Sequence, residues 1–463
     1  MARDQKKYKH KDDITLVNAI AHGQWQTKLS IVISGFGNLF YGQIIKGLIF
    51  LVFQICTWLS LFFFGQIYLR DLNTLGTQTM GMVFDPIREV NVPTLGDNSL
   101  QILLYSIFAI ALLLFGLMIH IAAVKSSYAA EIEVRRGKRP TGFVQDLRDM
   151  FDKNVHTAML AIPTVGVIAF TVLPVIFMIL LAFTNFDRLH QPPGNLFTWV
   201  GLQNFADTLS SSGFMSHTFV RVLGWTLIWA VLSTFLNYFL GMVVALMINK
   251  KGIRFKSVWR TCFVIAIAVP GFVTLLFMRQ MLAPEGSINV ILKGIYEFFG
   301  GEGFSPVQFL RDPLIARVTV VIVNLWIGIP YTMLITSGIL MNIPADLYEA
   351  ARIDGAGPAK QFKAITLPYM LVVTAPYLIT QFIGNINNFN AIYFLTTGGP
   401  NVTDYYNAGK TDLLVTWLYK LTVNHGDYNL ASVIGIITFV ISAIIALVTF
   451  NITASAQKEE TFR

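Results

Sequence analysis

Glu349-Ala350-Ala351-Arg352-Ile353-Asp354-Gly355-Ala356, continued by Phe362, Ile365, Leu367 and Pro368, is a polar, turn-rich stretch set between two long apolar segments. Pro344 starts a short helix at Ala345, Gly355 supplies a positive-φ stop, Pro358 opens a second helix, and Pro368 closes it before the next apolar run. The pattern therefore predicts two short helices at an angle. Leu347, Ala350, Ala351 and Asp354 recur at i, i+3, i+4 and i+7, so the first helix shows a face of small residues flanked by the carboxylate of Glu349. Such a face lets another protein approach closely.

The flanking composition fixes the class. Of 463 residues, 54% are hydrophobic and 13% charged, whereas soluble domains carry about 25% charged residues. Runs long enough to cross a bilayer, at about 20 apolar residues each, lie near 46–69, 100–124, 157–184, 222–248, 258–282, 314–341, 369–396 and 431–453. The expectation is an all-α polytopic membrane protein of about eight transmembrane helices. Residues 29–47 are interrupted by Gly35, Gly37, Asn38, Gly42 and Gln43, and with Lys46 they read as an interfacial or re-entrant entry to the first span.

Charge sets the orientation. With the N-terminus inside, the cytoplasmic segments hold 22 Lys and Arg residues and the opposite loops hold eight, so both termini are expected in the cytoplasm. The net charge of +8 then follows from topology and contact with anionic lipid, with no nucleic-acid partner needed. The basic run Lys6 to Lys11 reads as a solvated positive-inside anchor. Cys56 and Cys262 fall in separate spans, and the seven His residues are scattered, which argues against a metal or disulfide role; His120 reads as an interfacial side chain.

What the spans lack also narrows the function. None of the eight contains Asp or Glu, so an ion-coupled carrier has no intramembrane carboxylate with which to hold its ion. Gly409-Lys410-Thr411 resembles the end of a phosphate-binding loop, but Asp404 stands where the first glycine belongs and no strand precedes it. Energy must come from a partner, and no cofactor is expected on this chain. A membrane-embedded enzyme is disfavoured because no nucleophile, base or metal constellation is present.

The stretch from Glu349 to Pro368 resembles the complete EAA loop of binding-protein-dependent ABC importers of the sugar-transporting branch. Around it, Asn324 to Tyr331, Asp346-Leu347-Tyr348, Asn388-Phe389-Asn390, Leu395 and Gly398-Gly399-Pro400 resemble the MalF-type permease subunit of maltose and maltodextrin importers. The likeness covers roughly 222–453 well and the first 156 residues loosely. It implies a type I ABC importer permease fold, a second homologous permease of MalG type, a cytoplasmic ATPase dimer and an extracellular sugar-binding protein. It also implies that Glu349, Ala350, Ala351, Asp354 and Gly355 enter a cleft of the ATPase. Gram-negative members carry a large insertion between the third and fourth spans, where this chain has only about residues 185–221, so a bacterial plasma membrane of Gram-positive type is expected.

The domain reading follows: 1–156 as N-terminal segment and two spans, 157–221 as third span and outer loop, 222–453 as permease core, and 454–463 as cytoplasmic tail. Within the core, Gln381, Asn385 and Asn388 fall at i, i+4 and i+7 of the seventh span. Buried amides need partners, and the hydroxyls of a neutral sugar suit groups that both donate and accept. Bridging of neighbouring helices is the competing role for any single Asn. Trp326, Tyr331 and Phe389 offer faces for a pyranose ring, with packing the competing role. By the resemblance, Asn324, Gly328, Tyr331, Asn385 and Asn388 help form the sugar site, whereas Gln381 and Gly384 depart from the maltose pattern. The expected cargo is maltose or maltodextrin; the alternatives are another oligosaccharide, a glycerol-phosphate-type solute, or ion-coupled carriage.

Overall fold

The computed structural model describes residues 13–210, 213–250 and 252–452, which form two compact units, Met1–Gly201 and Leu202–Arg463. The run Lys6 to Lys11 and the tail 454–463 lie outside the described residues. Seven helices among the described residues are long and apolar enough to cross a membrane, and a bent pair makes an eighth crossing if counted as one span.

In the first unit, residues 13–47 form three short helices, α1 (Leu16–His22), α2 (Trp25–Leu29) and α3 (Phe36–Phe40), joined by turns, with Gly35 at φ +79°. The first span is α4 (Ile44–Asp71) and the second is α5 (Ser99–Arg135). At 37 residues α5 is about 55 Å long, more than a hydrocarbon core of about 30 Å requires, and buried polar side chains gather along its C-terminal half. There the short helices are pinned by polar bonds. The buried Glu131 carboxylate accepts from Gln24 N at 2.9 Å and from Thr27 Oγ1, and it pairs with Arg135. Ser127 donates to Asn38 Oδ1, and His120 shares hydrogen bonds with Ser34 Oγ and the Ile31 carbonyl. His120 is thus a fastener for the turn at 31–34. An antiparallel hairpin, β1 (Gly81–Asp85) with β2 (Val90–Thr94), fills the loop between α4 and α5. It is the one sheet among the described residues of an otherwise helical chain; Asp85 Oδ1 accepts from Ile87 N and Arg88 N, which closes its turn. An amphipathic helix α6 (Phe143–Asp152) precedes the third span, α7 (Val155–Leu181).

The second unit begins with α8 (Gln203–Leu209) and the 36-residue α9 (Phe214–Asn249). The fifth apolar run is not one straight helix. It breaks into α10 (Lys256–Ala268) and α11 (Gly271–Met281), bent by 88° at Pro270, which has no N–H to continue the ladder. After α12 (Ser287–Phe298) comes α13 (Pro313–Leu340), whose Asp312 cap accepts from Leu314 N and Ile315 N.

Helices α9 and α13 cross closely at small residues, as membrane helices do when backbones approach. A Cβ on Gly241 would lie 2.2 Å from Thr332 Oγ1, and Thr332 Oγ1 donates to the Asn237 carbonyl at 2.8 Å. Trp225 and Trp229 of α9 pack with Val320, Val321 and Val323 of α13 to form the main core cluster.

Beyond α14 (Ala345–Ile353), the chain runs as one helix, α15 (Pro358–Ile386). Pro368 therefore does not end the second short helix as expected. A π-helical segment at Phe362–Thr366 widens the ladder immediately ahead of Pro368, and the helix passes through. The seventh apolar run stops instead at Ile386 and restarts as α16 (Phe389–Thr396), with Asn387 and Asn388 at the break. Helices α17 (Leu414–Tyr419) and α18 (Tyr428–Ile452) complete the unit.

Candidate functional site

At the elbow between α14 and α15, α14 ends in a Schellman turn. Ala356 N donates to the Ala351 carbonyl at 2.8 Å, Gly355 N donates to the Arg352 carbonyl at 3.0 Å, and Gly355 holds φ +74°, the left-handed position glycine favours. Pro358 then starts α15, Gln361 Nε2 donates to the Ala356 carbonyl, and the Tyr348 hydroxyl meets Thr366 Oγ1 at 2.9 Å, which fixes the angle between the limbs. Glu349, Ala350, Asp354 and Gly355 are exposed and Ala351 is half-buried, while Ile353 is 87% exposed. These bonds brace the elbow, and its exposed face has no cover among the described residues.

Among α9, α13 and α15, a cavity of about 160 Å³ brings together Asn324, Gly328, Tyr331, Asn385 and Asn388, with Gln381 beside them. The amides are linked: Asn385 Nδ2 donates to Thr234 Oγ1 at 3.0 Å, and Asn388 Nδ2 reaches Asn385 Oδ1 at 3.4 Å. Asn388 does not continue the helix of Gln381 and Asn385. It is the N-cap of α16, its Oδ1 accepting from Ala391 N at 3.2 Å. The break keeps its backbone paired, Asn387 N donating to the Ile383 carbonyl, Asn388 N to the Asn385 carbonyl and Phe389 N to the Asn387 carbonyl, so irregular backbone lines the cavity, as transport proteins tolerate.

Gly328 has a second task. A Cβ there would lie 2.5 Å from Asn237 Oδ1, so its bareness seats the Asn237 amide. Of the aromatic candidates, Tyr331 lines the cavity, 6.5 Å from the Tyr377 ring. Trp326 is 67% exposed and outside the lining, and Phe389 stacks on Tyr393 at 4.7 Å. Neither joins the cavity. Sequence reasoning missed Ser233, Thr234 and Asn237 of α9, and Thr332 and Tyr377, which complete the wall. The signal for the three on α9 was a polar triplet inside an otherwise apolar run.

The loop after α16 is gathered around Asp412. Its Oδ2 accepts from Gly409 N and from Lys420 Nζ, both at 2.6 Å, and a Cβ on Gly398 would fall 1.8 Å from Oδ1. Burial pushes this carboxyl above its ordinary range, against the pull of the Lys420 charge and the Gly409 N–H. Lys410 sits 3.8 Å over the Tyr405 ring and pairs with Asp404, while buried Thr411 bonds Thr396 Oγ1. The Gly409-Lys410-Thr411 segment is therefore a packed corner with no phosphate cradle.

Residues 237–457 match the family model of the binding-protein-dependent transport system inner membrane component. The chain is 35% identical to the galactooligosaccharides transport system permease protein GanP of Bacillus subtilis, over 95% of this chain and 99% of that protein. It is 33% identical to the maltodextrin transport system permease protein MalC of Streptococcus pneumoniae, over 91% of this chain and 94% of that one. A crystal structure of a bacterial ABC transporter involved in the import of the acidic polysaccharide alginate superposes with a TM-score of 0.52 at 23% identity, covering 67% of this chain and 98% of its own. At that identity it speaks for the fold.

Proposed function

Because the chain belongs to the family of binding-protein-dependent transport system inner membrane components, we propose that it is the MalF-type permease subunit of an ABC importer and forms half of the pathway for a neutral oligosaccharide. The observation that carries the choice of cargo is the cavity itself. Its polar lining is amide and hydroxyl, with no charged side chain among the described residues. Amides and hydroxyls match sugar hydroxyls, whereas a phosphate or carboxylate calls for cations. A glycerol-phosphate-type solute is disfavoured on that ground.

At about 160 Å³ the cavity falls below the roughly 300–1,000 Å³ of ordinary ligand sites. A second, MalG-type permease supplies the facing wall. The exposed elbow at Glu349, Ala350, Ala351, Asp354 and Gly355 enters the partner ATPase dimer, which hydrolyses the ATP, and an extracellular binding protein delivers the sugar. Both termini lie in the cytoplasm of a Gram-positive bacterium, a reading supported by the near-full-length match to the Bacillus and Streptococcus permeases. Maltodextrin is the preferred cargo, with a galactooligosaccharide second, given the GanP match. Uptake of radiolabelled maltodextrin and galactooligosaccharide by the reconstituted complex decides between them. Accumulation of neither, with glycerol phosphate accumulated instead, would overturn the reading.

A further inference from the structure

Three buried polar atoms around the cavity have no hydrogen-bond partner among the described residues: Ser233 Oγ and Asn237 Oδ1 on α9, and Tyr377 Oη on α15. Ser233 is 1% exposed and Asn237 7%. Local geometry does not impose this. Thr226 on the same helix bonds the carbonyl four residues back at 2.8 Å, as a helical hydroxyl can, yet Ser233 leaves its own unused. Asn237 commits its Nδ2 to the Ser233 carbonyl at 2.7 Å, which leaves Oδ1 turned onto bare Gly328. Trp229 Nε1, one turn further out, is likewise buried and unpartnered. Trp229, Ser233 and Asn237 stand at i, i+4 and i+8, a ladder of unmet groups about 12 Å long on one side of an apolar helix.

Unpaired polar groups in a membrane interior are expensive, and native structures seldom keep them without cause. Here a partner must arrive. We propose that Ser233 and Asn237, with Tyr377 opposite, form a second hydroxyl-binding wall of the sugar site, engaged when the cavity widens to admit a pyranose ring. The proposal rests on the cavity being the sugar site. In the conformation described, the three atoms are closed off from solvent and the space is too small for an oligosaccharide, so widening relieves both conditions together. Asn237 Oδ1 can only accept, so it takes a hydroxyl hydrogen; the Ser233 and Tyr377 hydroxyls donate or accept. An acceptor with two adaptable hydroxyls suits the neighbouring hydroxyls of a neutral sugar ring. Gly328 then acts as a positioning residue, because any side chain there displaces the Asn237 amide.

The test uses the complete transporter, with Ser233→Ala and Tyr377→Phe, which delete an unmet group without cutting a bond. The sugar concentration giving half-maximal ATPase stimulation should rise about three- to tenfold for each, while Tm without sugar holds steady or rises by about 1 °C. A lowered Tm with unchanged half-saturation would make these hydroxyls packing groups and overturn the proposal, as would no change in either. Asn385→Ala serves as the reference. If it weakens sugar binding and the two deletions do not, the second wall fails alone; if it too is without effect, the cavity reading fails. Gly328→Ala should weaken binding in the natural chain and add nothing in an Asn237→Ala background. Full additivity of the two would remove Gly328 from its positioning role.

Discussion

Asn388 holds two jobs that a single alanine substitution would confuse. Its Oδ1 caps α16 through Ala391 N at 3.2 Å, and its Nδ2 reaches toward Asn385 and the cavity. Losing an N-cap costs about 0.5–2 kcal/mol, and losing one neutral hydrogen bond to sugar costs about 0.5–1.5 kcal/mol. Serine separates them, because it caps as well as asparagine but carries no amide. Asn388→Ser should therefore keep Tm within about 1 °C of the natural chain. It should also raise the half-saturating sugar concentration about two- to tenfold. Asn388→Ala should show the same loss of affinity with a lowered Tm. The readouts are thermal unfolding of the purified complex and sugar-stimulated ATP hydrolysis. Natural sugar affinity in Asn388→Ser would reduce the residue to a cap, and an unchanged Tm in Asn388→Ala would refute the capping argument.

At the elbow, Gly355→Val forces a β-branched residue to φ +74° and opens the Schellman turn, while a Cβ there meets open space among the described residues. The variant should insert normally and lose sugar-stimulated ATP hydrolysis; unchanged hydrolysis would refute the coupling role. In a background lacking Cys56 and Cys262, cysteine at Gly194 or Thr403 should react with an impermeant thiol reagent in intact cells, and labelling at Gly137 instead would invert the orientation. Asp97 is a poor labelling site because its carboxylate holds Thr77 N and Gln78 N. After α16, Asp412 is fully buried and Lys420 12% exposed. Either Asp412→Asn or Lys420→Met alone should cost on the order of 3–5 kcal/mol, and the double variant should recover part of it. Calorimetry showing equal loss in all three would refute pairing as the cause.

The apolar runs were legible because each is a local quantity, about 20 residues that lipid will accept. Gly355 was legible for the same reason, since a positive-φ stop needs only its own backbone. The breaks inside runs were harder. Asn388 continues the helical spacing of Gln381 and Asn385, and only the Ala391 N–H that it caps reveals the interruption. Gly328 could not be read at all from its neighbours, because the side chain it makes room for, Asn237, lies some ninety positions earlier. The unmet hydroxyl of Ser233 is invisible for a related reason: its lack of a partner belongs to the packed helices and not to the residue.

The misreading of Pro368 matters most for mechanism. Had the helix ended there, the elbow and the cavity would sit on separate pieces joined by a loop. Instead α15 runs unbroken from Pro358 at the elbow to Ile386, carrying Tyr377, Gln381 and Asn385 along its length. Its 29 residues span about 43 Å. On the proposed reading, a push on α14 reaches α15 through the Tyr348–Thr366 contact beside the π-helical segment, and the same rod carries it to the cavity. The chain then breaks at Asn387 and Asn388, just past the cavity-lining Gln381 and Asn385. On that reading, a continuous helix ending at a joint turns motion at the elbow into displacement of one cavity wall against α16, which is what opening and closing a site of this size requires.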